Sequence, residues 1–229
     1  MEVTIVNSMG DDLTIVNAAR VSFDKQTSWE RQIDTQGIYE LADRDKKLIN
    51  FLAKHGHWSP FGHAQLSFRI KAPIFVARQL VKHQVSLCWN EVSRRYVDSP
   101  PEFYYPEKWR GNAENKKQGS DQDSDILWID RETRTGAAVS KAVELCADTY
   151  QRLLDAGVCA EQARMLLPQN MYTEWFWSGS LYAFSRVCNL RCKGDTQAET
   201  REVAWEIHDL AKEKFPVSWP ALFYHALGN

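Results

Sequence analysis

Between Leu66 and Lys71, apolar Leu66, Phe68 and Ile70 alternate with polar Ser67, Arg69 and Lys71, and two residues later Pro73 opens a stretch with helical spacing. A period of two with one apolar face specifies a strand that is buried on one side and wet on the other. Val3 to Val6 reads as a second strand. Most of what remains reads as helix. Asp45 to His55 places Leu48, Ile49 and Leu52 on one side, with Gly56 as a stop signal. Pro73 suits a first helical position, and its segment runs to about Gln84. Further helices are predicted over Ile126 to Ala156, Ala160 to Leu167, the aromatic stretch Tyr172 to Leu190, and Gln197 to Phe215, where Pro216 stops the last. Few strands and many helices predict an α+β fold.

The chain has 229 residues, enough to bury an extensive core. Its one compositional break is 107–125, where polar residues crowd out almost every aliphatic. This reads as a surface insertion and not a domain boundary, because neither flank has a self-sufficient set of elements. The expectation is a single domain over 1–229. A net charge of −2 argues against a protein that coats nucleic acid or an anionic membrane. The first residues, MEVTIVNSMGDD, lack a basic start followed by an apolar run, and no stretch approaches a membrane span, so a cytoplasmic protein is expected. Five cysteines with no C-x-x-C pair suggest free thiols. Nine tryptophans imply either bulky core packing or faces on which flat ligands stack.

The chemistry-bearing residues gather in three stretches. In APIFVARQLVKHQ, helical spacing sets Arg78, Gln79, Lys82 and His83 in a polar stripe beside Ile74, Ala77 and Val81. Lys82 and His83 could simply favour the end of a helix through its dipole. Directly after come Asn90, Glu91, Ser93, Arg94, Arg95 and Tyr96, the cluster that phosphate or a pyrimidine edge requires, or else a salt-bridged surface strand. A second stretch holds His55, His57 and His63 around a Ser59-Pro60 turn. It reads as a shaped loop in which His57 and Ser59 meet something planar or phosphorylated, as histidines capping a helix, or as a zinc site that lacks a carboxylate. The third combines Arg164, the Trp175-Phe176-Trp177 run, and Arg186, Asn189 and Arg191. An aromatic stripe is most often core, but a buried arginine needs a partner. No Gly-x-Gly occurs, so any nucleotide is held by side chains and not by a glycine-rich turn.

Taken in order, AARVSF at 18–23, KHGHWSPFGH at 54–63, IKAPIFVARQ at 70–79, NEVSRRY at 90–96, EQARMLLP at 161–168 and NLR at 189–191 resemble the flavin-dependent thymidylate synthases over nearly the whole chain. The resemblance implies a single α+β domain with a small antiparallel sheet packed with several helices. It also implies a homotetramer whose active sites are shared between subunits. The implied reaction is reductive methylation of dUMP to dTMP, with methylenetetrahydrofolate as carbon donor and FAD reduced by NADPH. By the same resemblance His57 and Ser59 touch FAD, and Lys82, His83 and Gln84 stand where the family has an Arg-His-Arg triplet at the flavin and nucleotide. Glu91 matches a contact to both ligands, while Gln79, Lys82, Ser93, Arg94, Arg95 and Arg164 match positions that grip dUMP. Arg191 matches the arginine that stabilises the ionised uracil and is the expected catalytic residue. Charge placed where it develops in the ring is what that chemistry requires. Cys88 and Cys192 are expected to be bystanders, and Ser93 to bind and not to attack.

Several positions depart from the family pattern. Lys82 and Gln84 replace two guanidiniums, each exchange weakening an anionic contact by about 1 kcal/mol. Eight residues, 85–92, stand before Ser93 where seven are usual, so one is expected to bulge out between Val85 and Trp89. Gly62 stands where relatives often carry a flavin-contacting glutamate. Ser180, Tyr182 and Arg186, carried over as cofactor-binding, replace Asn, Arg and Asn, and Arg186 is expected to restore charge that Gln84 and Tyr182 give up. Two other readings compete: a single-stranded nucleic acid binding module, from basic residues interleaved with Trp and Tyr, and a zinc hydrolase on His55, His57 and His63.

Overall fold

A computed structural model of the chain describes residues 1–31, 39–97, 99–113 and 119–226. In chain order the elements are β1 (Glu2–Met9), α1 (Asp12–Arg20), β2 (Glu30–Arg31), β3 (Tyr39–Glu40), α2 (Asp43–Lys54), β4 (Gln65–Pro73), α3 (Ile74–Leu80), β5 (Leu87–Glu91), β6 (Gly111–Asn112), β7 (Ser120–Asp121), α4 (Thr135–Asp155), α5 (Ala160–Ala163), β8 (Tyr172–Ser180), α6 (Leu181–Arg191), α7 (Ala198–Lys214) and α8 (Ser218–Ala226). Strands β1, β4, β8 and β5, in that order, form an antiparallel sheet; β2–β3 and β6–β7 are separate two-stranded pairs. The α+β expectation holds.

Alternation along β4 buries Leu66, Phe68, Ile70 and Ala72 completely. The β4–β8 register sets Phe68 opposite Trp177 and Ile70 opposite Trp175, so the two central strands bury the same face. That face is covered by Ile49 and Leu52 of α2, Phe184 and Val187 of α6, Val203 and Ile207 of α7 and Trp219 of α8. The Phe184 ring stands edge-on to both Phe68 and Trp177 at about 5 Å. Each large side chain taken from water here contributes about 1.5–3 kcal/mol. The opposite face is polar, with Ser67 and Ser178 hydroxyls 2.8 Å apart and Arg69 paired to Glu174.

The structure corrects four element assignments. Tyr172 to Leu190 is not one helix: β8 runs to Ser180, whose hydroxyl accepts the Ala183 N–H and starts α6. Thr173, Trp175 and Trp177 are buried while Phe176 is partly exposed, a period of two that the bulk of the run conceals. Ile126 to Ala156 is helical only from Thr135. The segment opened by Pro73 is helical over Ile74–Leu80 alone, and Pro73 itself closes β4. Ala160 to Leu167 is one turn of α-helix followed by a 3-10 turn over Arg164–Leu166. Elements α1, β2, β3, β6, β7 and α8 have no counterpart in the sequence reading, and β5 takes in only Asn90 and Glu91 of the stretch for which a surface strand was the alternative. By contrast, α2 ends at Lys54 with Gly56 at φ +68°, and α7 spans Ala198–Lys214, both as expected.

One fixed point ties the ends of the chain together. Asp12, 2% exposed, accepts the backbone N–H groups of Val217 and Ser218 at 2.9 Å and so caps the start of α8 from α1. Burial pushes its carboxyl up, against the pull of those hydrogen bonds. Within 107–125, β6 and β7 pair as a short ribbon; 114–118 lie outside the described residues. All five cysteines are free thiols. Among the described residues no helix is long and apolar enough to cross a membrane.

Candidate active site

Helix α3 buries Val76, Ala77 and Leu80 against the sheet and leaves Arg78 outside, with Gln79 at the margin. After Leu80 the chain makes two tight turns, His83 N–H to the Leu80 carbonyl at 3.0 Å and Leu87 N–H to the Gln84 carbonyl at 3.1 Å. Ser86 sits between them in the left-handed region at φ +61° and is exposed. From Leu87 to Glu91 the ladder with β8 is unbroken, with Glu91 opposite Trp175. Leu87 lies opposite Gly179, where any Cβ would collide with the Ser86 carbonyl; a glycine is needed for that approach.

These turns carry His83 to the end of α6. The Arg191 Nε–H donates to His83 Nε2 at 3.0 Å, which leaves the imidazole proton on Nδ1. Burial, reinforced by the Arg191 and Arg186 charges, pushes His83 down to about 4, so the ring is neutral at pH 7. Lys82, His83, Gln84 and Arg186 line one cavity of about 190 Å³. No ion pair among the described residues involves Lys82, Arg186 or Arg191. The cavity therefore carries uncompensated positive charge, the condition for holding an anion.

A second group forms where β5 ends. Glu91 accepts from Thr173 Oγ1 at 2.8 Å and from Trp89 Nε1 at 3.1 Å, and the Trp89 ring stacks on Trp175 with centroids 4.5 Å apart. Glu91, Arg94 and Arg164 line a cavity of about 380 Å³ with Lys71, Glu102 and Glu174. Arg94 donates to the Ser99 carbonyl. Arg95 faces away toward Glu161, at 3.4 Å, and across the Tyr96 ring, with the Ser93 hydroxyl accepting from the Arg95 backbone N–H at 3.3 Å.

The third group follows α2. The His57 N–H is held by the Leu52 carbonyl at 2.9 Å, and His57, Trp58 and Ser59 form one wall of a cavity of about 880 Å³. Arg20, Lys25 and Arg44 line the same cavity. Arg20 lies in the AARVSF motif but was given no role from the sequence, and Lys25 and Arg44 were not singled out. Fully buried Asp45 pairs with Arg20 and accepts from Thr27 Oγ1 at 3.0 Å, while Arg20 Nε is buried without a partner. A signal was present: Asp45, Ile49 and Leu52 share one helix face, so a carboxylate lies on the apolar stripe. Gly62 packs under the Trp58 ring, 3.6 Å from where a Cβ would stand, and Trp58 faces Tyr182 at 6.0 Å between centroids. Ser180 is buried with its hydroxyl engaged in the α6 cap.

The structure thus unites His83 with Arg191, Lys82, Gln84 and Arg186; Glu91 with Arg94 and Arg164; and His57 with Ser59. Within one chain it does not unite the three groups with each other. Gln79 belongs to none of the three cavities and meets Gln197 instead. Among the described residues no three His, Cys, Asp or Glu side chains converge as a metal site. The Trp58, Phe51 and Phe23 side chains with Lys25 and Arg44 suit a flat heteroaromatic bearing phosphates, as a flavin dinucleotide is.

Compared with known proteins, the chain matches the family model Thy1, thymidylate synthase complementing protein, over residues 4–217. It is 38% identical over 225 residues to the flavin-dependent thymidylate synthase of Thermus thermophilus, covering 98% of this chain and 76% of that protein. The enzyme of the same name from Kosmotoga olearia is 37% identical over 227 residues, covering 98% and 90%. Among solved structures, the UMP/dUMP methylase PolB from Streptomyces cacaoi bound with 5-Br UMP superposes with a TM-score of 0.80 at 27% identity, covering 99% of this chain and 95% of that one. The same protein bound with 5-Br dUMP gives 0.75.

Proposed function

Since the chain belongs to the thymidylate synthase complementing protein family, whose similar members are flavin-dependent thymidylate synthases, we propose that it methylates the uracil of dUMP to give dTMP. Methylenetetrahydrofolate is the carbon donor in this reading and NADPH the reductant. The carrying observation is the contact of Arg191 with His83, which lines a cavity whose cations, Lys82 and Arg186, have no carboxylate partner among the described residues. A neutral imidazole accepts from one edge of the guanidinium and aims the rest without cancelling its charge. A uracil ring set against that charge is favoured in its ionised, electron-rich form, which makes its C5 carbon the nucleophile. When bound, reduced flavin supplies the hydride that completes the methyl group.

The other residues bind and orient. Gln79, Lys82, Ser93, Arg94, Arg95 and Arg164 grip the nucleotide, with Glu91 accepting from it while Thr173 and Trp89 hold its carboxylate in place. His57, Ser59, Lys82, His83, Gln84, Glu91, Ser180, Tyr182 and Arg186 hold FAD. Arg186 shares a cavity with Lys82 and Gln84, which supports its role as replacement charge. The three groups become one site when subunits meet. Large apolar side chains stand exposed beside each of them: Val85 next to Gln84, Tyr96 next to Arg95, Met165 next to Arg164 and Phe23 beside the His57 cavity. Apolar surface of that kind is what a tetramer would cover.

The test is anaerobic conversion of dUMP to dTMP by FAD-loaded protein with NADPH and methylenetetrahydrofolate. Product is expected, and its absence with all components present defeats the reading. Running UMP alongside asks whether a ribose 2′-hydroxyl is also accepted.

A further inference from the structure

Gln79 closes a chain of hydrogen bonds that begins at a buried carboxylate, and we infer that Glu199 and Gln197 are positioning residues that determine which end of the Gln79 amide meets the nucleotide. The inference rests on the proposed assignment of Gln79 to dUMP and extends it to residues outside every motif described above.

Glu199 lies in the first turn of α7 and is 4% exposed. One carboxylate oxygen accepts from an Arg110 guanidinium nitrogen at 2.6 Å and lies 3.5 Å from the Tyr104 hydroxyl; the other accepts from Gln197 Nε2 at 3.1 Å. Burial works to raise the Glu199 carboxyl, but the hydrogen bonds and charge of Arg110, its own helix-start backbone and Gln197 outweigh it and keep it below the usual range. Glu199 is thus ionised and can only accept. An amide bonded to it must turn its NH2 group inward, so the Gln197 carbonyl faces out, where it accepts from Gln79 Nε2. Reversing either amide would set oxygen against oxygen or NH2 against NH2. Oxygen and nitrogen of an amide are ordinarily hard to assign, but here the carboxylate decides both. Among the described residues Gln79 keeps its carbonyl oxygen without a hydrogen-bond partner, an acceptor suited to a sugar hydroxyl or a pyrimidine N–H.

The anchor of this relay comes from the polar insertion. Arg110 directly precedes β6, and its Nε donates to Ser120 Oγ at 2.9 Å on the facing strand β7. The insertion that composition marks as surface therefore supplies the cation that keeps Glu199 charged.

The experiment is titration of dUMP into FAD-loaded wild type and the variants Glu199→Gln, Gln197→Ala, Gln79→Ala and the Glu199→Gln/Gln79→Ala double. Glu199→Gln, Gln197→Ala and Gln79→Ala should each weaken dUMP binding about tenfold with FAD content unchanged. The double variant should bind no more weakly than Gln79→Ala alone. A Glu199→Gln protein within twofold of wild type, or one whose loss adds in full to that of Gln79→Ala, overturns the relay. Should Glu199→Gln fail to fold because Arg110 loses its counter-charge, Gln197→Ala leaves that pair intact and decides alone: wild-type affinity there overturns the inference. If wild type does not bind dUMP, the proposed function fails, and the relay is read without ligand from the side-chain amide resonances of Gln79. These move in Gln197→Ala if the relay exists and stay put if it does not.

Discussion

Arg20 and Arg191 are both partly buried arginines steadied by a neighbouring side chain, yet their neighbours differ in charge. Arg20 meets fully buried Asp45, whereas Arg191 meets the imidazole of His83, which burial keeps neutral. The first pairing cancels a charge and joins α1 to α2. The second orients a charge and leaves it whole. A guanidinium held by a neutral acceptor is available to a ligand in a way that one held by a carboxylate is not, and under the proposed function this contrast makes the end of α6 the reactive place.

The contrast can be broken in graded steps. Asp45→Ala should have the largest effect, about 3–5 kcal/mol of stability, because it strands Arg20 without its counter-ion; urea unfolding measures it, and a loss under about 1 kcal/mol would mean that Asp45 does not anchor α1 to α2. Arg191→Ala should lower dTMP formation about 10²–10³-fold while circular dichroism and thermal unfolding stay close to wild type. Normal turnover in that variant would defeat the catalytic assignment.

The His83 contact predicts a pH dependence. An unfolded histidine takes a proton near pH 6.5, whereas His83 in the fold waits until about 4. The unfolded chain thus binds more protons in that window, and stability should decline as pH falls from about 6.5 to about 4, then level off. His83→Gln, which cannot be protonated there, should flatten the slope in unfolding curves taken across this range. The smallest step is Arg186→Ala. It should loosen FAD by about 1 kcal/mol, roughly fivefold, with dUMP affinity unchanged; equal loss of both ligands would show that Arg186 does not specialise in the flavin.

Periodicity alone revealed strands β1 and β4, helix α2 with its Gly56 stop, and helix α7. Each is one-sided, and its pattern reports its environment. Strand β8 was missed because it runs straight into α6 through an aromatic stretch with no proline or charge run between them. The switch is marked only by Ser180 acting as a cap. The motifs carrying His57, Ser59, the stretch from Gln79 to Gln84, the stretch from Glu91 to Arg95, Arg164 and Arg191 stood out in the sequence by residue type, and their roles are those of the proposed function. Asp45 and Glu199 did not stand out, since carboxylates in charged stretches such as DRDKK read as solvated surface. Both turn out to be buried ends of hydrogen-bond networks.

What this chain's sequence determined unaided is the family it belongs to, the alternation that makes a one-faced sheet, and the set of cations and amides available for a nucleotide and a flavin. Those are properties of residue type and short spacing. Which cations are neutralised and which stay free was decided only by the tertiary structure. Asp45 reaches Arg20, Glu199 reaches Arg110, and His83 reaches Arg191 across 25, 89 and 108 positions of chain. The charge a guanidinium presents depends on what packing brings within a few ångströms of it, and distances of that kind exist only once the chain has folded.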